Sequence, residues 1–249
     1  MIDFQFKDRY TIDDLLKIME ILRSEDGCPW DKVQTHSSIK ADLIEEAYEA
    51  YEAVDLDSSD MLREELGDLL LQVVFHSRIE EENGGFDFSD VANDICQKLI
   101  VRHPHVFGDV KVNGADDVLK NWDHIKKETK EQKTYGDTLK AVPKVFPALL
   151  RAEKLGKRSS RAGVDESKEI CLEALSSALK RLNSSDEAKE EAFGEILFYA
   201  ANLARLNGVK PEDALQAFNN SFIEKFVSSE NNNELGGKNL YTLSIDQTV

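Results

Sequence analysis

The stretch Asp60–Glu82, DMLREELGDLLLQVVFHSRIEEE, decides how this chain folds. Its apolar residues recur at three- and four-residue steps, and Asn83-Gly84-Gly85 follows as a stop signal, so the spacing predicts one long helix. The central run Leu69–Phe75 is apolar around most of that helix and therefore needs cover from several sides, which implies that chains associate. At seven residues, interrupted by Gln72, it is too short to span a bilayer. The same pattern returns later: Gly67-Asp68-Leu69-Leu70 through Arg78 aligns with Gly194-Glu195-Ile196-Leu197 through Arg205 at an offset of 127 residues (194 − 67). Five apolar positions coincide, 69, 70, 71, 73 and 74 with 196, 197, 198, 200 and 201. The chain reads as a divergent tandem repeat of one helical module.

Working outward, helical periodicity dominates and alternating strand patterns are nearly absent, so an all-α fold is expected. Helices are expected over Thr11–Arg23, Ser38–Val54, Asp60–Glu82 and from an N-cap at Ser89 to Arg102, with another over Asp116–Lys133. Pro29 separates the first two, and His103-Pro104 closes the fourth. These elements divide the 249 residues into a first domain, 1–125, a charged linker, 126–140, a second domain, 141–227, and a polar, poorly ordered tail, 228–249.

The charge balance excludes one broad class. With 48 acidic against 31 basic side chains the formal net charge is −17, which is the wrong sign for neutralising a phosphate backbone, so no nucleic-acid partner is expected. Cys28, Cys96 and Cys171 are odd in number and contain no CxxC, which speaks against a disulfide framework or a zinc site and for a reducing, cytoplasmic setting. The N-terminus has no apolar signal region, and no membrane partner is expected.

The acids are not evenly spread. Glu45, Glu46 and Glu49 sit three and four apart on the second expected helix, beside an apolar stripe of Leu43, Ala47, Ala50 and Val54. Glu65 and Asp68 are three apart on the next, set among leucines, which places Asp68 at least partly inside. Acid runs on helices are commonly solvated faces, and Glu65 can also complement a helix dipole. Two matched clusters, one of them in a leucine run, favour a common site instead. Gathering such acids without a cation is costly, about 4 kcal/mol for one like-charge pair at about 4 Å and an effective dielectric near 20. A hard divalent ion, Mg²⁺ or its substitute Mn²⁺, removes that cost, and its usual chemistry is on phosphate esters and anhydrides.

Glu45-Glu46-x-x-Glu49, fifteen residues, then Glu65-x-x-Asp68 resembles the EExxE…ExxD signature of the MazG nucleoside triphosphate pyrophosphohydrolases. Gly27-Cys28-Pro29-Trp30-Asp31, Gln34-Thr35, Glu65-Leu66-Gly67-Asp68-Leu69-Leu70 and Arg102-His103-Pro104-His105-Val106-Phe107 are similar to the two-domain bacterial form of that family, over residues 10–227. The resemblance implies a tandem MazG-type module in a dimerising four-helix arrangement. It implies Mg²⁺-dependent cleavage of NTPs or dNTPs to nucleoside monophosphate and pyrophosphate, a house-cleaning of nucleotide pools. By similarity Glu46, Glu49, Glu65 and Asp68 hold the metal, and Glu45 is a further ligand or orients the attacking water.

Lys98 and Arg102, four apart, are candidates to clamp a triphosphate, although cations in a last helical turn also favour its negative end. Trp30 is a candidate to stack on a base, with a packing anchor as the alternative. His103 and His105 read as a structural turn, His76 as a core or interface histidine, and Trp122 as packing. In the second half the acids thin out: Ala192-x-x-Glu195 replaces Glu65-x-x-Asp68, a single Glu173 remains of the first cluster, and Ser221 and Lys225 stand for Lys98 and Arg102. That half is expected to keep the fold without hydrolysing nucleotides. The rival readings are a narrower dUTP- or dCTP-type pyrophosphatase and a non-catalytic helical interaction module. A ferritin-like iron bundle is disfavoured because no histidine follows an acid by three residues.

Overall fold

The computed structural model describes residues 4–114, 117–118, 121–122, 125, 134–164, 167–182, 189–232, 236 and 239, and among them there are helices and no strands. The chain divides into two compact units, Met1–Lys126 and Lys127–Val249. None of the described helices is long and apolar enough to cross a membrane.

The first unit is built from α1 (Ile12–Arg23), a 3₁₀ turn at Asp31–Val33, α2 (His36–Ile39), α3 (Asp42–Asp55), α4 (Ser59–Glu82), α5 (Phe88–Arg102) and α6 (Pro104–Phe107). Local chemistry sets the starts of these helices. At α1 the Thr11 N–H donates to the Asp14 carboxylate at 2.9 Å. At α5 the box is reciprocal, with Asp90 N–H donating to Asp87 at 2.9 Å and Asp87 N–H to Asp90 at 3.2 Å. Asp87, not the expected Ser89, is therefore the N-cap, and the helix starts early enough to bring Phe88 onto the core. That core is Met19, Ile39, Val74, Phe75 and Ile79, flanked by Leu15, Leu16, Leu71 and Phe88.

The helix expected over Ser38–Val54 is two helices. A capping box between Thr35 and Ser38 starts α2 at His36, and α3 begins only at Asp42. Lys40 and Ala41 keep right-handed helical dihedrals, so the helix is interrupted there without a reversal of the chain. Gly84, at φ 77°, ends the turn after α4 in a conformation that favours glycine.

The second unit contains α7 (Tyr135–Lys140), α8 (Ala148–Ser160), α9 (Lys168–Arg181), α10 (Lys189–Leu206) and α11 (Pro211–Asn231). Its α9–α10 pair repeats the α3–α4 pair of the first unit. Tyr135–Lys140, placed in the linker by the sequence reading, is helical, because Thr134 and Asp137 form another capping box. The tail also begins later than expected: α11 takes in the first four residues of the expected tail, 228–231, and buries Ser229. It is tied in by Glu212, whose carboxylate accepts from the Leu150 N–H at 3.0 Å, capping α8 where Pro147 has no capping side chain. Of the helix expected over Asp116–Lys133, residues 117, 118, 121, 122 and 125 are helical, and the others lie outside the described residues, as does most of the tail.

Candidate metal centre

Helices α3 and α4 form a hairpin joined by Leu56, Asp57 and Ser58. Asp57 adopts φ 50°, the left-handed conformation that a tight reversal requires, and Ser58 Oγ accepts from Met61 N–H at 3.4 Å to start α4. Ala50 and Ala53 are buried, and such small side chains let the two helix backbones approach. The buried stripe of α3 is thus not the expected Leu43, Ala47, Ala50 and Val54, since Ala47 and Val54 are exposed. Glu46 lies one turn before Ala50, on the inward side, so the helix buries part of an acid rather than setting all three beside an apolar face.

The turn makes the acids meet. Glu49 and Glu65 are each eight residues from Asp57, and Glu46 and Asp68 are each eleven. With about 1.5 Å of rise per residue on each antiparallel arm, each pair stands at one level of the hairpin. Accordingly Glu46, Glu49 and Glu65 each offer a carboxylate oxygen, all within 4.8 Å of one another. Glu46 and Glu65 are half-buried and Glu49 is exposed. Asp68 is half-buried beside them, and its charge acts on both Glu46 and Glu65.

The electrostatics report crowding. Partial burial raises the proton affinity of Glu46, and the charges of Asp68, Glu49 and Glu65 add to it. Glu65 is raised by the same kind of desolvation, then by Glu49, Glu64 and Asp68. The exposed Glu49 carboxylate thus acts on both, and in each case its closeness favours the neutral form of the neighbour. An all-oxygen anionic donor set with excess negative charge fits a hard divalent cation and not a thiolate- or imidazole-seeking one.

The other expected site residues are placed differently. Glu45 is exposed on α3 and does not belong to the converging group. Lys98 is exposed, and among the described residues no ion pair joins it to the acids. The Arg102 guanidinium lies over the ring of the exposed Trp122, 5.9 Å from its centroid, so the contact of Trp122 is with a cation rather than with the core. Trp30 is 58% exposed, with its carbonyl accepting from Gln34 Nε2 at 2.9 Å, so its ring is not the packing anchor of its loop. His103 Nδ1 meets the Leu99 carbonyl at 2.6 Å and its ring contacts His105, at the junction of α5 and α6. His76 is half-buried and bonds to His36, a partner that sequence reasoning missed. Periodicity could have found this side: Glu65, Asp68, Gln72, His76 and Glu80 follow at three- and four-residue steps along one face of α4.

The second unit has lost this arrangement. Ala192, at the position of Glu65, is fully buried. Glu195, at the position of Asp68, is ion-paired to Arg181, and Glu173, at the position of Glu46, is exposed.

Residues 34–107, which contain the converging acids, match the profile of the MazG nucleotide pyrophosphohydrolase domain. The chain is 41% identical over 238 residues to the nucleoside triphosphate pyrophosphohydrolase/pyrophosphatase MazG of Thermotoga maritima, covering 94% of this chain and 91% of that protein. It is 42% identical over 234 residues to a nucleoside triphosphate pyrophosphohydrolase of Escherichia coli K12, covering 88% and 87% respectively. A similar identity, 42% over 236 residues, relates it to the uncharacterized protein YabN of Bacillus subtilis, of which it covers 48%.

Proposed function

The chain belongs to the MazG family of nucleoside triphosphate pyrophosphohydrolases, and from that premise we propose that its first unit carries the hydrolysis, with Mg²⁺ held by Glu46, Glu49, Glu65 and Asp68. The observation that carries this reading is the convergence of three carboxylates within 4.8 Å on two helices. A divalent cation, when bound there, supplies neutralising charge for phosphate oxygens and acidifies a water molecule. Mn²⁺ substitutes, since it prefers the same oxygen donors.

The protein's own groups do the rest. Glu45, exposed beside the cluster, orients the attacking water and takes its proton. Water adds to the α-phosphorus, the P–O bond to the β-phosphate breaks, and nucleoside monophosphate and pyrophosphate leave. Lys98 and Arg102 bind phosphate oxygens as fixed cations, and Trp30, largely in solvent, stacks on the base. A stacking surface accepts any base, which suits a house-cleaning enzyme of broad base tolerance.

The second unit keeps the helical frame without the chemistry. Ala192 is buried and Glu195 is already neutralised by Arg181, and among the described residues of this unit no acids converge as they do in the first. The protein works as a homo-oligomer in the cytoplasm. Leu66 is 51% and Leu70 38% exposed on α4, apolar surface that a second copy would cover, and the three free cysteines suit a reducing compartment.

The test is a panel of NTPs and dNTPs with Mg²⁺, with Mn²⁺ or with chelator, products being resolved by ion-exchange chromatography. Cation-dependent release of monophosphate and pyrophosphate is expected across bases. Diphosphate and phosphate as products, or full activity in chelator, would overturn the assignment, and turnover confined to dUTP or dCTP would replace broad tolerance.

A further inference from the structure

Beyond the open end of the α3–α4 hairpin lies a second polar cluster that the carboxylate site does not use. The rings of His36 on α2 and His76 on α4 are parallel to within 1°, with centroids 5.0 Å apart and Nδ1 atoms 2.7 Å apart. On the other side of the His36 ring, Nε2 lies 2.8 Å from Glu80 Oε1. An ionised carboxylate only accepts, so His36 donates from Nε2. Two ring nitrogens at 2.7 Å share one proton, one ring donating and the other accepting. The result is a continuous chain, Glu80–His36–His76, that leaves α4, crosses α2 and returns to α4.

Its place in the fold is what matters. Leu56–Ser58 ties the hairpin covalently at one end only. Counting outward from Asp57, the carboxylate pairs come first, and Asp42 stands level with Gln72, each fifteen residues away. The histidine pair follows, where α2 feeds into α3. Helix α2 has four residues, too few to be stable alone, and Ile39, 1% exposed, and His36 fasten it to the first unit. Mutual repulsion of Glu46, Glu49, Glu65 and Asp68 pushes the two arms apart. A tie at the end without a covalent link would add to the packing of Ala50 and Ala53 in resisting it.

We propose that His36, His76 and Glu80 are positioning residues whose hydrogen-bonded chain closes the open end of the hairpin and holds Glu46 and Glu49 opposite Glu65 and Asp68 at cation-binding spacing. This rests on the reading of those carboxylates as metal ligands. Burial, and then the neighbouring His36, lower the proton affinity of His76, with the Asp42 charge acting in the opposite sense. His76 therefore stays neutral, so that one proton remains shared between the rings. The seam also holds two buried acceptors, Gln72 Oε1 and His76 Nε2, that have no hydrogen-bond partner among the described residues. They are four residues apart on one face of α4, which suits a water molecule donating to both.

Three full-length proteins, wild type, His76→Phe and His76→Gln, test this without nucleotide. Mn²⁺ binding is followed at pH 8 by the spin-resonance signal of the free ion, melting by circular dichroism, and the shared proton by ¹⁵N–¹⁵N coupling between the two Nδ1 atoms. The expected result is a resolved coupling in wild type, Mn²⁺ affinity five- to tenfold weaker in His76→Phe, and affinity within twofold of wild type in His76→Gln, whose amide can donate to His36. His76→Phe with wild-type Mn²⁺ affinity overturns the positioning role while leaving the metal site standing. Weak binding by both variants overturns it too, since the hydrogen bond would then not be what matters, and so does an absent coupling in wild type. Wild type that fails to bind Mn²⁺ although the coupling is present overturns the metal reading on which the proposal rests.

Discussion

Replacing Ala192 by glutamate would restore to the second unit the acid that its repeat partner has at Glu65, and it should destabilise the protein severely. Ala192 is 0% exposed on α10. A glutamate there has two ways to fold. It can stay ionised and lose its hydration, or it can take up a proton. The second sets the ceiling: holding a carboxyl of ordinary pKa about 4.3 neutral at pH 7 costs about 3.7 kcal/mol. Forcing the longer side chain into filled space adds about 1–3 kcal/mol. The sum, about 5–7 kcal/mol, is a large share of the stability typical of a domain.

The charge part has a signature. A carboxyl whose proton affinity is raised in the folded state makes that state bind more protons than the unfolded one, so stability rises as pH falls. Between pH 7 and pH 5 the penalty should shrink by about 2.7 kcal/mol. Ala192→Gln keeps the bulk without the charge and should cost only the packing part, independent of pH. Urea unfolding of both variants at pH 7 and 5, with and without Mn²⁺, measures all of this. The reasoning is refuted if the two variants are equally stable at pH 7, or if Mn²⁺ restores the glutamate variant, because the second unit would then retain a working cation site.

Three further outcomes follow from the first unit. Glu46→Gln, Glu49→Gln, Glu65→Gln and Asp68→Asn should each lower kcat/KM for NTP hydrolysis by about a hundredfold or more, equivalent to about 2.7 kcal/mol of transition-state stabilisation, with the helical circular dichroism unchanged. Because Glu46 and Glu65 hold their protons more tightly when folded, the protein in chelator should gain thermal stability as pH falls from neutral towards the ordinary carboxylate range, and added Mg²⁺ should reverse that slope. Arg23→Met should destabilise by about 2–4 kcal/mol in urea. Its side chain is 5% exposed, it grips Glu82 at 2.7 and 3.1 Å, and it also donates to the Asp31 and Gln34 carbonyls that shape the loop carrying Trp30. An Arg23→Met protein as stable as wild type would show that loop to be held by other contacts.

The conditions for the first of these outcomes lie in chain spacing. EExxE and ExxD stand symmetrically about Asp57, so a tight hairpin brings Glu49 to Glu65 and Glu46 to Asp68 without any long-range adjustment. That symmetry is in the sequence. It becomes a site only because Asp57 accepts a left-handed conformation and Ala50 and Ala53 let the helices close. A shift of one residue in the turn would rotate one set of acids by about 100° around its helix and separate them.

Composition, helical periodicity and the acid spacing by themselves determined an all-α chain with a repeated module and the five acids from which the converging group is drawn, because these depend on residues close in sequence; that Glu45 stands outside the group only the packing of the helices decided. The capping box of Asp87 with Asp90 is equally local, yet the sequence reading set the cap two residues later, at Ser89; the structure starts the helix at Asp87, which packs Phe88 against the core. Tertiary structure alone decided which stripe of α3 faces inward, that Trp30 stands in solvent, that Arg102 lies on Trp122, and that Arg181 neutralises Glu195. It alone joined His36 to His76 across forty residues. Such pairings depend on how whole helices are set against one another, and that is fixed by the summed burial of many side chains, a quantity no local stretch of sequence contains.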